Sequence, residues 1–298
     1  MRIALGGVTS SMGTEILAGL SELSQPHGGA EQLHLRLLTR HPEALPALAE
    51  GYEVASGNYS DSAAMEQSLR DCDVFLLAPA VRDPQRVELH RNAIRAAREA
   101  GVQHIVYLSF LGAKEDTLLG YGKDHLATEE ELRHSGMDFT IIRAAFLMDY
   151  LVQLRDERGI ICGPKGTGTC PFIAQRDVSD TVVGVLIDIA AGGGGGHSGK
   201  TYILTGPEDL TVADAVSALN RGIGEARYSY RGLTREEAMQ LLQKQRPNTH
   251  RELIEQATET FAAVEAGELS VTSKDLRKLL GYDGLTVEQW AKFVLQSN

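Results

Sequence analysis

The residues that most directly imply chemistry are Gly6-Gly7-Val8-Thr9-Ser10-Ser11-Met12-Gly13. They follow the short apolar run Ile3–Leu5 and lead into the apolar-periodic segment Thr14–Leu23. A tight turn from a first strand into a helix gathers backbone N–H groups at the positive helix end, where a pyrophosphate binds. Glycine lets the backbone come close without a Cβ clash. In a G-x-x-G-x-x-G frame counted from Gly7, Ser10 takes the place of the middle glycine and Gly13 that of the last. The serine costs some closeness, but its hydroxyl is an additional donor. Gly7, Thr9, Ser10, Ser11, Met12 and Gly13 are thus the expected phosphate-binding turn of a dinucleotide site, against the blander alternative of a plain strand–helix connection. The second strand bears on which dinucleotide. An NAD site ends it in Asp or Glu, which binds the ribose 2′-hydroxyl. Here it runs Leu35-Arg36-Leu37-Leu38-Thr39-Arg40-His41-Pro42, with no acid. The planar cationic fork of Arg40 suits a 2′-phosphate, and Thr39 and His41 add donors. The cofactor read from this is NADP(H); a solvated basic cluster is the alternative.

These groups need elements to hold them. Short apolar runs recur at Ile3–Leu5, Leu35–Leu38, Val74–Ala78, Ile105–Leu108 and Phe139–Ile142. Between them lie segments with helical spacing. Asp83–Ala100 puts Val87, Ile94 and Ala97 on one face. Tyr121–Ser135 puts Leu126 and Leu132 inward and Glu129, Glu130, Glu131 and Arg133 outward. Continuous apolar strands alternating with helices predict an α/β fold, a doubly wound parallel sheet of the Rossmann kind. After Arg143 the rhythm changes. Gly159–Phe172 reads as a loop or short hairpin, Arg176–Ala190 as a helix, and Thr201–Leu204 as a strand. The five glycines Gly192–Gly196 read as a flexible surface turn. Thr211, Thr234 and Thr286 each stand where a helix starts. The expected division is an NADP-binding domain over 1–150, completed by 173–204. A small, mainly helical substrate-binding cap covers 151–172 and 205–298.

The chain has 298 residues and a formal net charge of −11, from 29 Lys+Arg against 40 Asp+Glu. An acidic surface argues against nucleic acid and anionic membranes as partners. No apolar stretch reaches the roughly 18 residues of a membrane span, and the N-terminus lacks the apolar core of a signal peptide. Cys72, Cys162 and Cys170 are too few and too scattered for a disulfide framework or a zinc site. The expected setting is cytoplasmic and the expected partner a small molecule. A homodimer is compatible with this composition.

Beyond the glycine turn and Arg40-His41-Pro42, further segments carry a resemblance. They are Gly57-Asn58-Tyr59-Ser60-Asp61 and Ala100–Ser109, then His125-Leu126-Ala127-Thr128-Glu129 with Ser135–Arg143, and finally Arg176-Asp177-Val178 and Gly199-Lys200-Thr201-Tyr202. In this order and spacing the chain resembles the NmrA-like branch of atypical short-chain dehydrogenases/reductases, particularly its bacterial NAD(P)H:quinone oxidoreductases and triphenylmethane reductases. The resemblance spans nearly the whole chain. It implies an NADPH-binding Rossmann domain and a small C-terminal substrate domain. It also implies adenosine near Arg40 and, more weakly, Tyr59, Ser60 and Asp61. The nicotinamide would run past Ala78-Pro79-Ala80 and Ser109-Phe110-Leu111. The chain departs from the family at Ser10 and in the run Ala144–Tyr150 after Arg143.

Short-chain reductases pair a serine with Tyr-x-x-x-Lys, in which the lysine lowers the pKa of the tyrosine that donates a proton. Here Ser109 is followed by Tyr121, and His125 stands where the lysine would be. One reading makes Tyr121 the proton donor, tuned by His125, with Ser109 as the third catalytic residue. The other needs no such donor: NADPH is positioned against an acceptor whose reduced form is already stabilised. Phe110, Phe146 and Tyr150, with Tyr121 and Met148, are the candidate acceptor residues, ordinary core packing being the alternative. His125 and Glu129, four residues apart, form a candidate structural pair; Arg143 is a candidate contact or ion-pair partner. The predicted function is an NADPH-dependent oxidoreductase passing a hydride to a quinone or similar conjugated acceptor. The alternatives are a non-catalytic NADP(H)-sensing regulator of the NmrA type and a reductase or isomerase with a private biosynthetic substrate.

Overall fold

The computed structural model describes residues 1–23, 33–41, 51–80, 83–245 and 251–296; Pro42 lies outside them. In chain order the first elements are β1 (Arg2–Leu5), α1 (Ser11–Leu23), β2 (His34–Thr39), β3 (Glu53–Ser56), α2 (Ser62–Leu69) and β4 (Val74–Leu77). Then come α3 (Arg86–Glu99), β5 (His104–Phe110), α4 (Gly120–His134), β6 (Asp138–Ala144), α5 (Met148–Gln153), β7 (Ile160–Pro164) and α6 (Gln175–Asp188). The remainder is α7 (Gly194–His197), β8 (Lys200–Leu204), α8 (Val212–Ile223), β9 (Ser229–Leu233), α9 (Arg235–Gln245), α10 (Arg251–Glu265), α11 (Asp275–Leu280) and α12 (Val287–Leu295).

Seven strands form one sheet in the order β3-β2-β1-β4-β5-β6-β8. The pairs joining β3 to β2, β2 to β1, β1 to β4 and β4 to β5 are parallel. Chain order reverses between β1 and β4, and in open α/β sheets ligands bind outside the strand ends at such a switch point. Ile3 lies between Leu35 and Val74 in register. This brings the turn after β1 beside the turn after β4.

The chain divides into two compact units. One comprises Met1–Ser109, Asp124–Arg143 and Ser179–Tyr202. Its core includes Leu38, Met65, Leu69, Phe75, Ile105, Tyr107, Leu132 and Ile141. All of Val74–Leu77 is buried, which is why this strand reads as a continuous apolar run. Burying a side chain of this size contributes about 1.5–3 kcal/mol. The other unit comprises Phe110–Lys123, Ala144–Val178 and Ile203–Asn298. Its core gathers Met148, Leu151, Ile161, Phe172, Val216, Leu219 and Trp290. Thr211 caps α8 by accepting the Asp214 N–H at 3.1 Å. Thr234 and Thr286 close reciprocal capping boxes with Glu237 and Gln289, as their spacing predicts.

Three local expectations change. Gly159–Phe172 is not a hairpin: β7 pairs in parallel with β9, a strand far along the chain. The glycine run is only partly a turn: Gly192 breaks the helical path, and the glycines after it enter a short helix. The chain kinks at Gly192, with φ 87°, and α7 follows at once. The left-handed residue redirects the chain, and His197 at the end of α7 anchors it, with Nδ1 2.9 Å from the Tyr202 hydroxyl. Finally, Glu129 does not face outward; its side chain is fully buried. Position outweighs residue type here, because His125, Thr128, Glu129 and Leu132 share the inward stripe of α4.

Candidate cofactor and active site

The turn after β1 tolerates no side chain at three positions, Gly6, Gly7 and Gly13. Gly7 has φ 72°, and a Cβ there would stand 2.6 Å from the Ala78 Cβ. A Cβ at Gly13 would stand 2.1 Å from the Gly7 carbonyl oxygen. The turn is therefore folded tightly on itself and against the end of β4. Ser10 caps α1: its Oγ accepts from the Gly13 N–H at 3.0 Å, while its own proton goes to the Gly7 carbonyl at 2.8 Å. The hydroxyl is thus engaged in holding the turn. Thr9, Ser10 and Ser11 are exposed and Met12 half-buried. No acid occupies the first turn of α1, so the positive helix end keeps its attraction for an anion. Arg40 lies exposed just past β2, and the Thr39 hydroxyl oxygen accepts from the His41 N–H at 3.2 Å. A cradle that a Cβ would fill, an acid-free helix start and a cation at the end of β2 fit a phosphorylated dinucleotide.

The turn after β4, Ala78-Pro79-Ala80, is half-buried and held by its backbone. Tyr59 donates its hydroxyl to the Ala78 carbonyl at 3.1 Å. The Ala80 N–H donates to His90 Nε2 at 2.9 Å, and Arg86 Nε donates to the Ala80 carbonyl at 2.8 Å. Burial, with the Arg86 charge beside it, lowers the His90 pKa to about 3, so the ring is a neutral acceptor.

Ser109, at the end of β5, donates its hydroxyl to Glu129 Oε1 at 2.6 Å. The same carboxylate takes a two-pronged contact from Arg143, Nε at 2.8 Å and Nη2 at 2.6 Å, and a third from Arg133 at 3.0 Å. Arg143 is thereby an ion-pair residue. His125 pairs differently: its Nδ1 lies 2.8 Å from the buried Tyr107 hydroxyl. Burial, reinforced by Arg86, His90 and Arg143, holds its pKa well below the ordinary histidine range. A neutral imidazole lacks the charge by which a lysine would lower a tyrosine pKa.

In the other unit, Phe110, Tyr121 and Phe146 form an aromatic cluster. Phe110 lies 5.1 Å from Tyr121 and 5.2 Å from Phe146, both tilted. Tyr121 sits in the first turn of α4, and Tyr150 is 48% exposed on α5. The segment leading to Tyr121 is held by carboxylates of α10 and the residues just after it. Glu259 accepts from the Gly120 N–H at 2.8 Å, and Glu268 from the Leu118 N–H at 3.0 Å and the Thr117 hydroxyl at 2.8 Å. Glu265 accepts from the Gly166 N–H at 3.1 Å. Among the described residues no cluster of His, Cys, Asp or Glu has the make-up of a metal site, and no helix is long and apolar enough to cross a membrane.

Residues 26–188, more than half of the chain, match the family described as NAD(P)H-binding. The chain belongs to the NAD(P)H-binding family. Among individual proteins it is similar to quinone oxidoreductase 2 of Escherichia coli, 27% identical over 99% of both chains. A solved structure of an NADPH-dependent quinone oxidoreductase from Escherichia coli, complexed with NADPH, is 25% identical. It covers 99% of this chain and 100% of its own, with a TM-score of 0.82. The triphenylmethane reductase of a Citrobacter species, complexed with NADP(H), is likewise 25% identical. It covers 97% of this chain and 98% of its own, with a TM-score of 0.81.

Within this NAD(P)H-binding chain, three site features escaped the sequence reading: the burial of Glu129, the Tyr107 partner of His125, and the hold of Arg86 and His90 on the turn after β4. The last carried a signal. Arg86 and His90, four apart, share a face of α3 with the buried Ala93, Ile94 and Ala97, and polar residues on an apolar stripe require partners.

Proposed function

We propose that the chain is an NADPH-dependent oxidoreductase that passes a hydride to a quinone or a similar conjugated small-molecule acceptor. The observation that carries the reading is the closed Gly7–Gly13 turn with an acid-free helix start, together with Arg40 in place of an acid past β2. In this reading Gly7, Thr9, Ser10, Ser11, Met12 and Gly13 wrap the pyrophosphate, and Arg40 binds the 2′-phosphate. Ala78, Pro79 and Ser109 border the nicotinamide. NADPH supplies the hydride when bound. Phe110, Phe146 and Tyr150 contact the acceptor. The domain division proposed is a cofactor-binding part over 1–150 with 173–204, and a substrate cap over 151–172 and 205–298.

Among the catalytic candidates, Ser109 is engaged with Glu129 and His125 is neutral. Both support a mechanism in which the protein orients cofactor and acceptor, with no charge-tuned Tyr121 as proton donor. A quinone fits such a site because its reduced anion is stabilised by conjugation and takes its proton from water. Three free cysteines, two of them buried, are consistent with the proposed cytoplasmic setting. The test mixes the protein with NADPH or NADH and a panel of quinones and follows the nicotinamide absorbance. Oxidation of NADPH, faster than of NADH, by at least one quinone is expected. Tight NADPH binding with no oxidation by any acceptor would replace this reading with the regulatory one.

A further inference from the structure

Ala78-Pro79-Ala80 carries no side chain able to recognise anything. It can offer a ligand only backbone groups and shape, so its usefulness depends on where it is held. Three polar side chains from outside the turn hold it: Tyr59 after β3, and Arg86 and His90 of α3. Arg86 and His90 are buried, His90 completely, and burying such groups is costly unless each is hydrogen-bonded. The ring of His90 is fixed at both nitrogens. Nε2 accepts from Ala80, so Nδ1 carries the proton and donates to the Thr128 hydroxyl at 2.9 Å. Thr128 in turn donates to the Asp124 carbonyl at 3.0 Å. The Tyr59 hydroxyl also stands 2.7 Å from where a Gly6 Cβ would be, and Ala78 fills the space beside Gly7. The two turns of the switch point are thus set against each other through these groups.

We propose that His90, Arg86 and Tyr59 are positioning residues of the cofactor site, fixing the Ala78–Ala80 backbone against the Gly6-Gly7 turn so that bound NADPH meets a preformed wall. The inference rests on the cofactor reading above. A role confined to general stability would lower the melting temperature and leave the affinity of the folded protein alone. A positioning role moves cofactor affinity in a protein that remains folded.

The experiment titrates NADPH calorimetrically into the full chain and measures amide exchange at Ala80 without cofactor. It compares wild type with His90→Phe, His90→Gln and Tyr59→Phe. His90→Phe removes the acceptor of the Ala80 N–H; exchange there accelerates and the NADPH Kd rises about tenfold. His90→Gln can accept through its Oε1 and brings both back to within about threefold of wild type. Tyr59→Phe keeps the ring, loses only the hydroxyl, and raises the Kd about threefold while Ala80 exchange stays as in wild type. Wild-type Kd values in His90→Phe and Tyr59→Phe overturn the proposal. Should His90→Phe fail to fold, a wild-type Kd in Tyr59→Phe overturns it, and a raised one restored by neither lower temperature nor osmolyte supports it. A wild-type chain that binds no NADPH overturns the functional reading and this inference together.

Discussion

Glu129→Ala should be among the most destabilising single changes in the first unit. The carboxylate is fully buried and accepts from Arg143 at 2.8 and 2.6 Å, Arg133 at 3.0 Å and Ser109 at 2.6 Å. Removing it strands two guanidinium groups and a hydroxyl at once. Breaking a buried pair by deleting one partner costs about 3–5 kcal/mol. The side chains of Arg133 and Arg143 are 38% and 20% exposed, so water restores part of their hydration and the lower end, about 3 kcal/mol, applies. At about 2–4 °C per kcal/mol for a large domain, the melting temperature should fall by about 6–12 °C. Glu131 supplies the control on the same helix. Its partner Arg91 and its own side chain are 46% and 37% exposed, and an exposed pair contributes about 0–1 kcal/mol. Thermal unfolding followed by circular dichroism, with urea titration beside it, compares the two alanine variants. A Glu129→Ala protein that melts no lower than Glu131→Ala would refute the view that Glu129 organises the end of β5 and β6.

Other expectations follow from the same geometry. Arg40→Ala should raise the Kd for NADPH by about tenfold while leaving NADH nearly unchanged; equal losses in a binding titration would remove Arg40 from the 2′-phosphate. Tyr121→Phe keeps the ring beside Phe110 and should hold quinone turnover within about threefold; a loss of about tenfold or more in kcat would return the hydroxyl to the role of proton donor. Ser10→Ala should cost about 1 kcal/mol by uncapping α1, and Ser10→Gly only a few tenths; NADPH affinity lost beyond that destabilisation would mark Ser10 as a direct phosphate ligand. Stability should also fall with acid. His90 and His125 are depressed in the folded state, so below about 6.5 the unfolded chain takes up protons that the folded chain refuses, for His90 until about 3. Over that window His90 alone costs about 1.4 kcal/mol per pH unit, and His125 acts in the same direction. Urea midpoints measured at descending pH that do not fall would contradict the buried neutral state.

The five apolar runs named from the sequence all correspond to strands of the sheet, because strands covered on both faces leave an unbroken apolar mark. β3 left none: Glu53-Val54-Ala55-Ser56 is a half-buried edge strand of small residues. β7 and β9 were equally faint, each short, with partners some seventy residues apart that only tertiary pairing reveals. The glycine turn and Arg40 were legible because their chemistry is local: a backbone conformation in one case, a terminal charge in the other. Glu129 was not, since a carboxylate on a helix reads as solvated until Arg143, from another strand, is known to meet it. Likewise spacing alone put His125 on one face with Glu129, but that this face is buried depends on packing, and the neutrality of the ring on that burial and on charges from α3 and β6.

The carboxylates of Glu259, Glu265 and Glu268 have an implication for re-engineering. They hold backbone at Gly120, Gly166 and Leu118, positions remote in sequence from α10. The C-terminal third therefore cannot be treated as an exchangeable specificity cassette. A graft from a relative that brings new acceptor-contacting residues but omits these three anchors would release the segment leading to Tyr121 before any new preference could be expressed. Chimeras should be cut so that residues 251–268, residues 110–123 and Gly166 travel together, as one heritable piece.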